Sequence, residues 1–238
     1  SSDRVYSNAA GRIFSLRQDG DTLYAYDNKG NIYRYSSALD RFEHVVSLSK
    51  WFQGYLKLND LYIDRHHRLW LAARNGLYCY AHGRMSLAGP TQEVNVITAD
   101  NHDRLFIATA SAVLAQSGKK WKTLAGLEGL EAQSLYFDAS SQRLWLGTFV
   151  QGVRVYSLKA HRAVAISPLP QIQHPVRAIT PLGQETMLVG VDGEGVYAFD
   201  RQNLQGRLLF NVSDDTRNAL SGNGIYTITV DRQHNIWM

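Results

Sequence analysis

The chain has 238 residues, 45% hydrophobic and 11% aromatic, which suits one large domain with a real core and excludes a disordered segment. No apolar run approaches the roughly 18 residues that would cross a bilayer as a helix, and the first residues carry no secretory-signal pattern. The net charge of +4 favours anionic partners only where it gathers on one face, and Lys and Arg are spread along the whole chain.

Short strand signals separated by turn chemistry run from one end to the other. Residues 13–17, 22–26, 31–35 and 42–48 read as four strands, with Asp19-Gly20-Asp21 and Asp27-Asn28-Lys29-Gly30 as turns. Val5-Tyr6 reads as an outer strand of another unit. The pattern recurs from 59 to 87, from 94 to 124, from 134 to 166 and from 176 to 212, and a last copy begins at 225. Residues 125–131 hold two glycines and read as a loop, not a helix.

The clearest copy is Gln142-Arg143-Leu144-Trp145-Leu146-Gly147-Thr148 followed by Gln151-Gly152-Val153-Arg154-Val155-Tyr156. Its central aromatic, or an equivalent residue, returns at Tyr24, Trp70, Phe106, Leu188 and Trp237. A repeat of roughly 40 to 50 residues built only from short strands is the signature of a β-propeller. The expected fold is therefore all-β, with five complete four-stranded blades at about 12–48, 58–88, 94–125, 132–167 and 176–212, and part of a sixth at 225–238. The second strands are apolar on both faces, as sandwiching between neighbouring blades requires. Ser1 is not an initiator Met and Met238 falls inside a strand signal, so the expectation is a single propeller domain, or a propeller fragment cut from a larger array.

Several motifs have plain structural readings. His66, His67, His102 and His234 follow Asp64, Asp100 and Asp231 at one repeat position, which spreads them one turn per blade instead of converging on a metal. Gly190-Val191-Asp192-Gly193-Glu194-Gly195 lacks the Lys and the following helix of a phosphate loop and reads as a hairpin turn. Lys119-Lys120-Trp121-Lys122 could meet nucleic acids or acidic glycans, but Lys on an outer strand is also the usual guard against edge pairing. Asn211-Val212-Ser213 matches a glycosylation sequon, and the lone Cys79 has no internal disulfide partner. No nucleophile elbow and no localisable carboxylate pair occurs. No catalytic residue, metal ligand or cofactor is expected, and no nucleic-acid partner.

What remains is the end where loops between second and third strands and between consecutive blades emerge. The candidate ligand-binding residues there are Trp51, Phe52, Arg74, Asn75, Phe149, Gln151, Asp192 and Glu194, with Lys29 in an equivalent loop. Residues 49–55 form an aromatic-rich stretch outside the strand pattern. Aromatic faces stack on sugars, while Arg, Asn and Gln satisfy hydroxyls or acids. The alternative for Trp51 and Phe52 is packing beneath their loop or against a neighbouring domain.

The repeat resembles the two-component regulator propeller repeat. The resemblance covers the whole chain through its period and is strongest at residues 218–237, Asn-Ala-Leu-Ser-Gly-Asn-Gly-Ile-Tyr-Thr-Ile-Thr-Val-Asp-Arg-Gln-His-Asn-Ile-Trp. Departures occur at Ala108-Thr109-Ala110, where Gly-Thr is usual, and at Pro181-Leu182-Gly183, which replaces the Asp turn. The resemblance implies the periplasmic sensor region of a membrane-anchored hybrid two-component histidine kinase of Bacteroides type. It implies an oligosaccharide ligand derived from complex polysaccharides, and neighbouring propeller and β-sandwich domains in the same parent chain, with a homodimer as the assembly to test. Two alternatives stand beside it: a propeller lyase of the streptogramin-inactivating type, which needs a metal-dependent His and Glu cluster on one face, and a protein-interaction scaffold.

Overall fold

The computed structural model describes residues 13–19, 21–27, 29–52, 57–166, 172–212, 220, 222, 224–231 and 233–238. Val5-Tyr6, Gly20, Asn28, residues 53–55 of the aromatic stretch, Ser213 of the sequon, and positions 218, 219, 221, 223 and 232 of the last repeat lie outside them.

Among the described residues the strands are β1 (Ile13–Asp19), β2 (Thr22–Asp27), β3 (Asn31–Ser36) and β4 (Arg41–Ser47), then β5 (Leu58–Ile63), β6 (Leu69–Ala73), β7 (Gly76–Ala81) and β8 (Arg84–Leu87). They continue as β9 (Val94–Ala99), β10 (Leu105–Thr109), β11 (Val113–Ser117) and β12 (Lys120–Thr123), then β13 (Ala132–Asp138), β14 (Arg143–Thr148), β15 (Val153–Ser157) and β16 (Arg162–Val164). The last are β17 (Val176–Leu182), β18 (Thr186–Val191), β19 (Gly195–Asp200), β20 (Gly206–Phe210), β21 (Thr229–Val230) and β22 (Ile236–Trp237). The first twenty form five four-stranded sheets in simple sequence order, and the last two pair alone. Neighbouring strands in these sheets pair antiparallel, as hairpin connections allow. This is the blade construction of a β-propeller.

Two compact units divide the chain, residues 1–97 and 98–238. In the first, Tyr24, Tyr26 and Ile32 of the first sheet pack with Leu61, Leu69 and Leu71 of the second. In the second unit, Trp145, Val153 and Val155 of the fourth sheet pack with Val176, Met187 and Val189 of the fifth. Trp145 is fully buried and meets the edge of Phe199 at 6.1 Å. Burying such a ring contributes about 1.5–3 kcal/mol. The sixth sheet differs from expectation: only Thr229–Val230 is a strand where 225–230 was expected. Ile225 and Ile228 are nonetheless buried, packed on Ala178, Leu188 and Val196 of the fifth sheet.

The second strands place a small residue where the next sheet comes closest. A Cβ on Gly147 would lie 2.4 Å from Val176 Cγ1 and 2.6 Å from the Val176 carbonyl oxygen. One on Gly190 would lie 2.5 Å from Ile225 Cγ2. Ser134, opposite Gly147 in the ladder, donates its hydroxyl to that same Val176 carbonyl at 2.9 Å. Sheet-to-sheet contact is thus backbone against backbone, with one buried hydrogen bond fixing the height.

The turn from first to second strand repeats a carboxylate cap. Asp64 Oδ1 accepts the amides of His66 and Arg68, Asp100 Oδ1 those of His102 and Arg104, and Asp231 Oδ1 those of Gln233 and Asn235. Oδ2 then takes the indole N–H of the strand aromatic, Trp70 at 2.8 Å and Trp237 at 3.1 Å. In the third sheet the aromatic is Phe106, which has no N–H, and Arg104 bonds Asp100 while lying 4.9 Å above the Phe106 ring. His66, His67, His102 and His234 all sit in these turns, with His67 and His234 at φ 56° and 64°.

The fourth sheet breaks the rule, and its extra turn residue explains why. Asp138 lies seven positions before Trp145, where Asp64 lies six before Trp70. Its carboxylate is bonded by Ser140, Ser141 and Arg201 of the fifth sheet, and the buried Trp145 Nε1 has no partner among the described residues. Burial pushes the Asp138 pKa up, but the hydrogen bonds from Arg201, Ser141 and Ser140 outweigh it and hold the carboxyl at about 2. An unfolded Asp titrates near 3.9. The stability from this group is therefore complete above about pH 4 and is lost as pH falls towards about 2.

Two outcomes follow. Gly147→Ala is expected to cost about 1–3 kcal/mol in urea unfolding, because backbone must move, whereas Gly222→Ala, with open space around it, leaves the midpoint unchanged. Stability measured between pH 4 and pH 2 is expected to fall by on the order of 2 kcal/mol through Asp138, and Asp138→Asn removes that part of the slope.

Candidate functional site

Sequence reasoning placed eight residues at the end where second-to-third-strand loops emerge. Arg74, Phe149 and Asp192 prove to be equivalent, each the first residue after a second strand. Each donates its amide to a carbonyl of the connection leading into its own sheet: Arg74 to Lys57 at 3.1 Å, Phe149 to Glu131 at 2.9 Å, Asp192 to Pro175 at 2.9 Å. The loops are therefore tied to the entry of the inner strands, not loose above them.

In the first unit, Phe52 is partly buried on the core cluster and meets Tyr78 edge-on at 4.7 Å. Trp51 meets Tyr80 at 5.6 Å and is 37% exposed. Both rings lie against the third strand of the second sheet, which is the packing alternative. Arg74 and Asn75 are exposed at the loop tip. Tyr78 donates its hydroxyl to the Asn75 carbonyl at 3.3 Å.

In the second unit, Phe149, Val150 and Gln151 are exposed on the fourth sheet. Asp192 and Glu194 flank the β18–β19 turn and draw in residues that the sequence had not singled out. Glu194 Oε1 accepts the Gln173 amide at 3.1 Å and lies 2.8 Å from His174 Nδ1, and Oε2 accepts the Tyr197 hydroxyl at 2.8 Å. Burial pushes the Glu194 pKa up, yet the bonds from His174, Tyr197 and the Gln173 amide prevail and lower it. Burial, then the bond to Glu194, pushes the Tyr197 phenol up to about 12. Asp192 Oδ2 lies 3.5 Å from Arg177 Nε.

Arg177 was missed because it breaks the strand alternation. The pairing of β17 with β18 skips it, passing from Val176–Val191 to Ala178–Gly190. The same slip occurs at Asn59 in the second sheet and Gln133 in the fourth. A bulge adds one residue and re-aims it, so these three inner strands each present a polar side chain just where they enter the sheet. Asn59 Nδ2 donates to Glu93 at 3.0 Å and Gln133 Nε2 reaches Glu131 at 3.5 Å. The signal was a polar residue two places before the inner strand's first large apolar one: Asn59 before Leu61, Gln133 before Leu135 and Arg177 before Ile179.

The site can bind hydrogen-bonding and apolar groups together. Among the described residues no three His, Cys, Asp or Glu side chains converge to hold a metal. His174 and Glu194 are a pair only.

No family model matches the chain, and no curated protein matches it. Solved structures do match. Over 97% of its length the chain is similar to an extracellular domain assigned to the one component system BT4673 of B. thetaiotaomicron, at 20% identity and a TM-score of 0.75, covering 32% of that chain. Over 100% of its length it is similar to the extracellular domain assigned to the hybrid two component system BT3049 of the same organism, at 14% identity and a TM-score of 0.72, covering 33% of that chain. The fold is a β-propeller of the kind those domains carry. The propeller spans about a third of the length of either. It also resembles the computationally designed Ika8 protein over 92% of its length and 65% of that chain, at 11% identity and a TM-score of 0.63. The fold by itself therefore does not give the function.

Glu194→Ala is expected to raise amide exchange at Gln173 about tenfold, since that bond contributes about 1.4 kcal/mol or less to local closure. Hydrogen-exchange mass spectrometry over 172–176 reads it.

Proposed function

We propose that this propeller is a ligand-sensing part of the extracytoplasmic region of a hybrid two-component signalling protein. The observation that carries the reading is the fold match across 100% of the chain to an extracellular domain assigned to a hybrid two component system. The bulge-and-loop end of the fourth and fifth sheets supports it, because exposed Phe149 and Gln151 and half-buried Arg177 and Asp192 combine an apolar face with donors and acceptors. That mixture suits a polyhydroxylated ligand, and the finer reading is an oligosaccharide released from a complex polysaccharide, whose detection regulates its utilisation. The protein is then periplasmic in this part and membrane-anchored in its parent. Neighbouring propeller and β-sandwich domains of that parent, and a second copy in a homodimer, are the partners. Trp51, Phe52, Arg74 and Asn75 remain proposed contacts within the first unit, and Phe149, Gln151, Asp192 and Glu194, with Arg177 added, within the second. Binding shifts the population of domain arrangements, which passes the signal inward.

Thermal unfolding of the full-length protein against defined plant, fungal and host glycan fragments tests this. A true ligand at one hundred times its Kd is expected to stabilise the protein by about 2.7 kcal/mol. Absence of any shift across all glycan classes counts against the reading.

A further inference from the structure

Among the described residues, the three polar side chains at the inner-strand bulges are not equally engaged. Asn59 and Gln133 hydrogen-bond a glutamate through their amides. Arg177 has only Asp192, and 3.5 Å between Nε and Oδ2 does not meet hydrogen-bond geometry. Its Nε is shut off from solvent without an acceptor, while the side chain as a whole is 33% exposed. A guanidinium has five N–H donors in a rigid fork. The outer ones therefore stand on the rim beside a carboxylate that is 25% exposed.

The surroundings narrow what fits. Glu194, on the same turn, is committed to His174, Tyr197 and the Gln173 amide, so Asp192 is the counter-charge of Arg177. The pair is balanced in charge, with donors on one side and acceptors on the other. The neighbouring sheet lies alongside, because Val176, adjacent to Arg177, is what a side chain on Gly147 would strike. Two residues beyond Gly147, Phe149 is 41% exposed and Val150 59%.

We propose that Arg177 and Asp192 form the anchoring subsite for an uncharged sugar unit with two adjacent hydroxyls, its ring lying on Phe149. This rests on the sensing reading above and names the chemistry of that site. A hydroxyl is both donor and acceptor. It can give its proton to Asp192 while accepting from Arg177, and a vicinal pair does so twice. A uronate must bring a second carboxylate to Asp192, and like charges that close repel.

Titration calorimetry of the full-length protein tests the subsite with matched probes: galactan, arabinan, xylan, mannan and β-glucan oligosaccharides on one side, oligogalacturonate and glucuronoxylan fragments on the other. At least one uncharged probe is expected to bind, and every uronate more weakly. Arg177→Gln, which installs the residue found at the fourth sheet's bulge, is expected to weaken that binding about tenfold or more. Asp192→Asn is expected to weaken the neutral probe and strengthen the uronate. Thermal unfolding confirms that each variant folds, and Arg177→Lys, which keeps the charge and loses the fork, replaces any that does not. Neutral binding left unchanged by these variants overturns the subsite and leaves sensing intact. A wild-type preference for uronates overturns the diol assignment. Binding of no saccharide overturns the sensing reading and the subsite with it.

Discussion

The close approach of each second strand to the next sheet's inner strand governs this molecule. At Gly147 and Gly190 there is no room for even a methyl group. Ala72 takes the same ladder position opposite Asp60 in the second sheet and is fully buried. The first sheet departs, with Tyr26 in that place, and there the ring's hydroxyl donates to the Asn59 carbonyl at 3.2 Å instead. Wide aromatics such as Trp145 fill the wedge further out. The inner strands are thereby held by backbone contact, and the loops that follow Gly147 and Gly190 start from rigid points. Positions on such a scaffold can be precise even though they are loops.

The opposite end is built on a different principle. Among the described residues three of its turns are closed by an aspartate, Asp64, Asp100 or Asp231, whose Oδ1 accepts two backbone amides and whose Oδ2 accepts an indole or guanidinium N–H. Of the positive-φ residues other than glycine, all eight lie in turns at this end: Asp40, His67, His82, Asp103, Gln142, His161, Leu204 and His234. Asp and His are among the residues that tolerate that region best. The histidine-rich look of the sequence is thus a matter of turn conformation. The fourth sheet shows how forgiving these turns are: one inserted residue is absorbed, at the cost of an unpaired Trp145 N–H.

Much of the fold was legible because the pattern of Leu-Trp-Leu-Gly-Thr, loop and Gly-Val is set by burial on both faces, and burial leaves a trace in every repeat. The site was legible only in part. Phe149, Gln151, Asp192 and Glu194 follow directly from where the second strands stop. Arg177, His174 and Gln173 do not, because a bulge is a slip of one residue in a two-residue alternation and leaves polar residues that look like ordinary strand faces. Trp51 and Phe52 illustrate the converse. Aromatic composition marked their stretch, but composition cannot tell a ring that packs edge-on against Tyr78 from one that awaits a ligand. The short sixth sheet was over-read for a similar reason: Ile225 and Ile228 are apolar because the fifth sheet buries them, not because they are laddered.

The bulge also separates two jobs that a strand residue normally shares. Asn59, Gln133 and Arg177 stand outside the ladder pairing, so exchanging one for another leaves the strand register in place, although Asn59 also donates to the Val94 carbonyl of the third sheet. The second, fourth and fifth sheets thus each carry one rewritable character beside a fixed frame. Duplicated units of this kind can diverge in what they recognise through changes at a single codon.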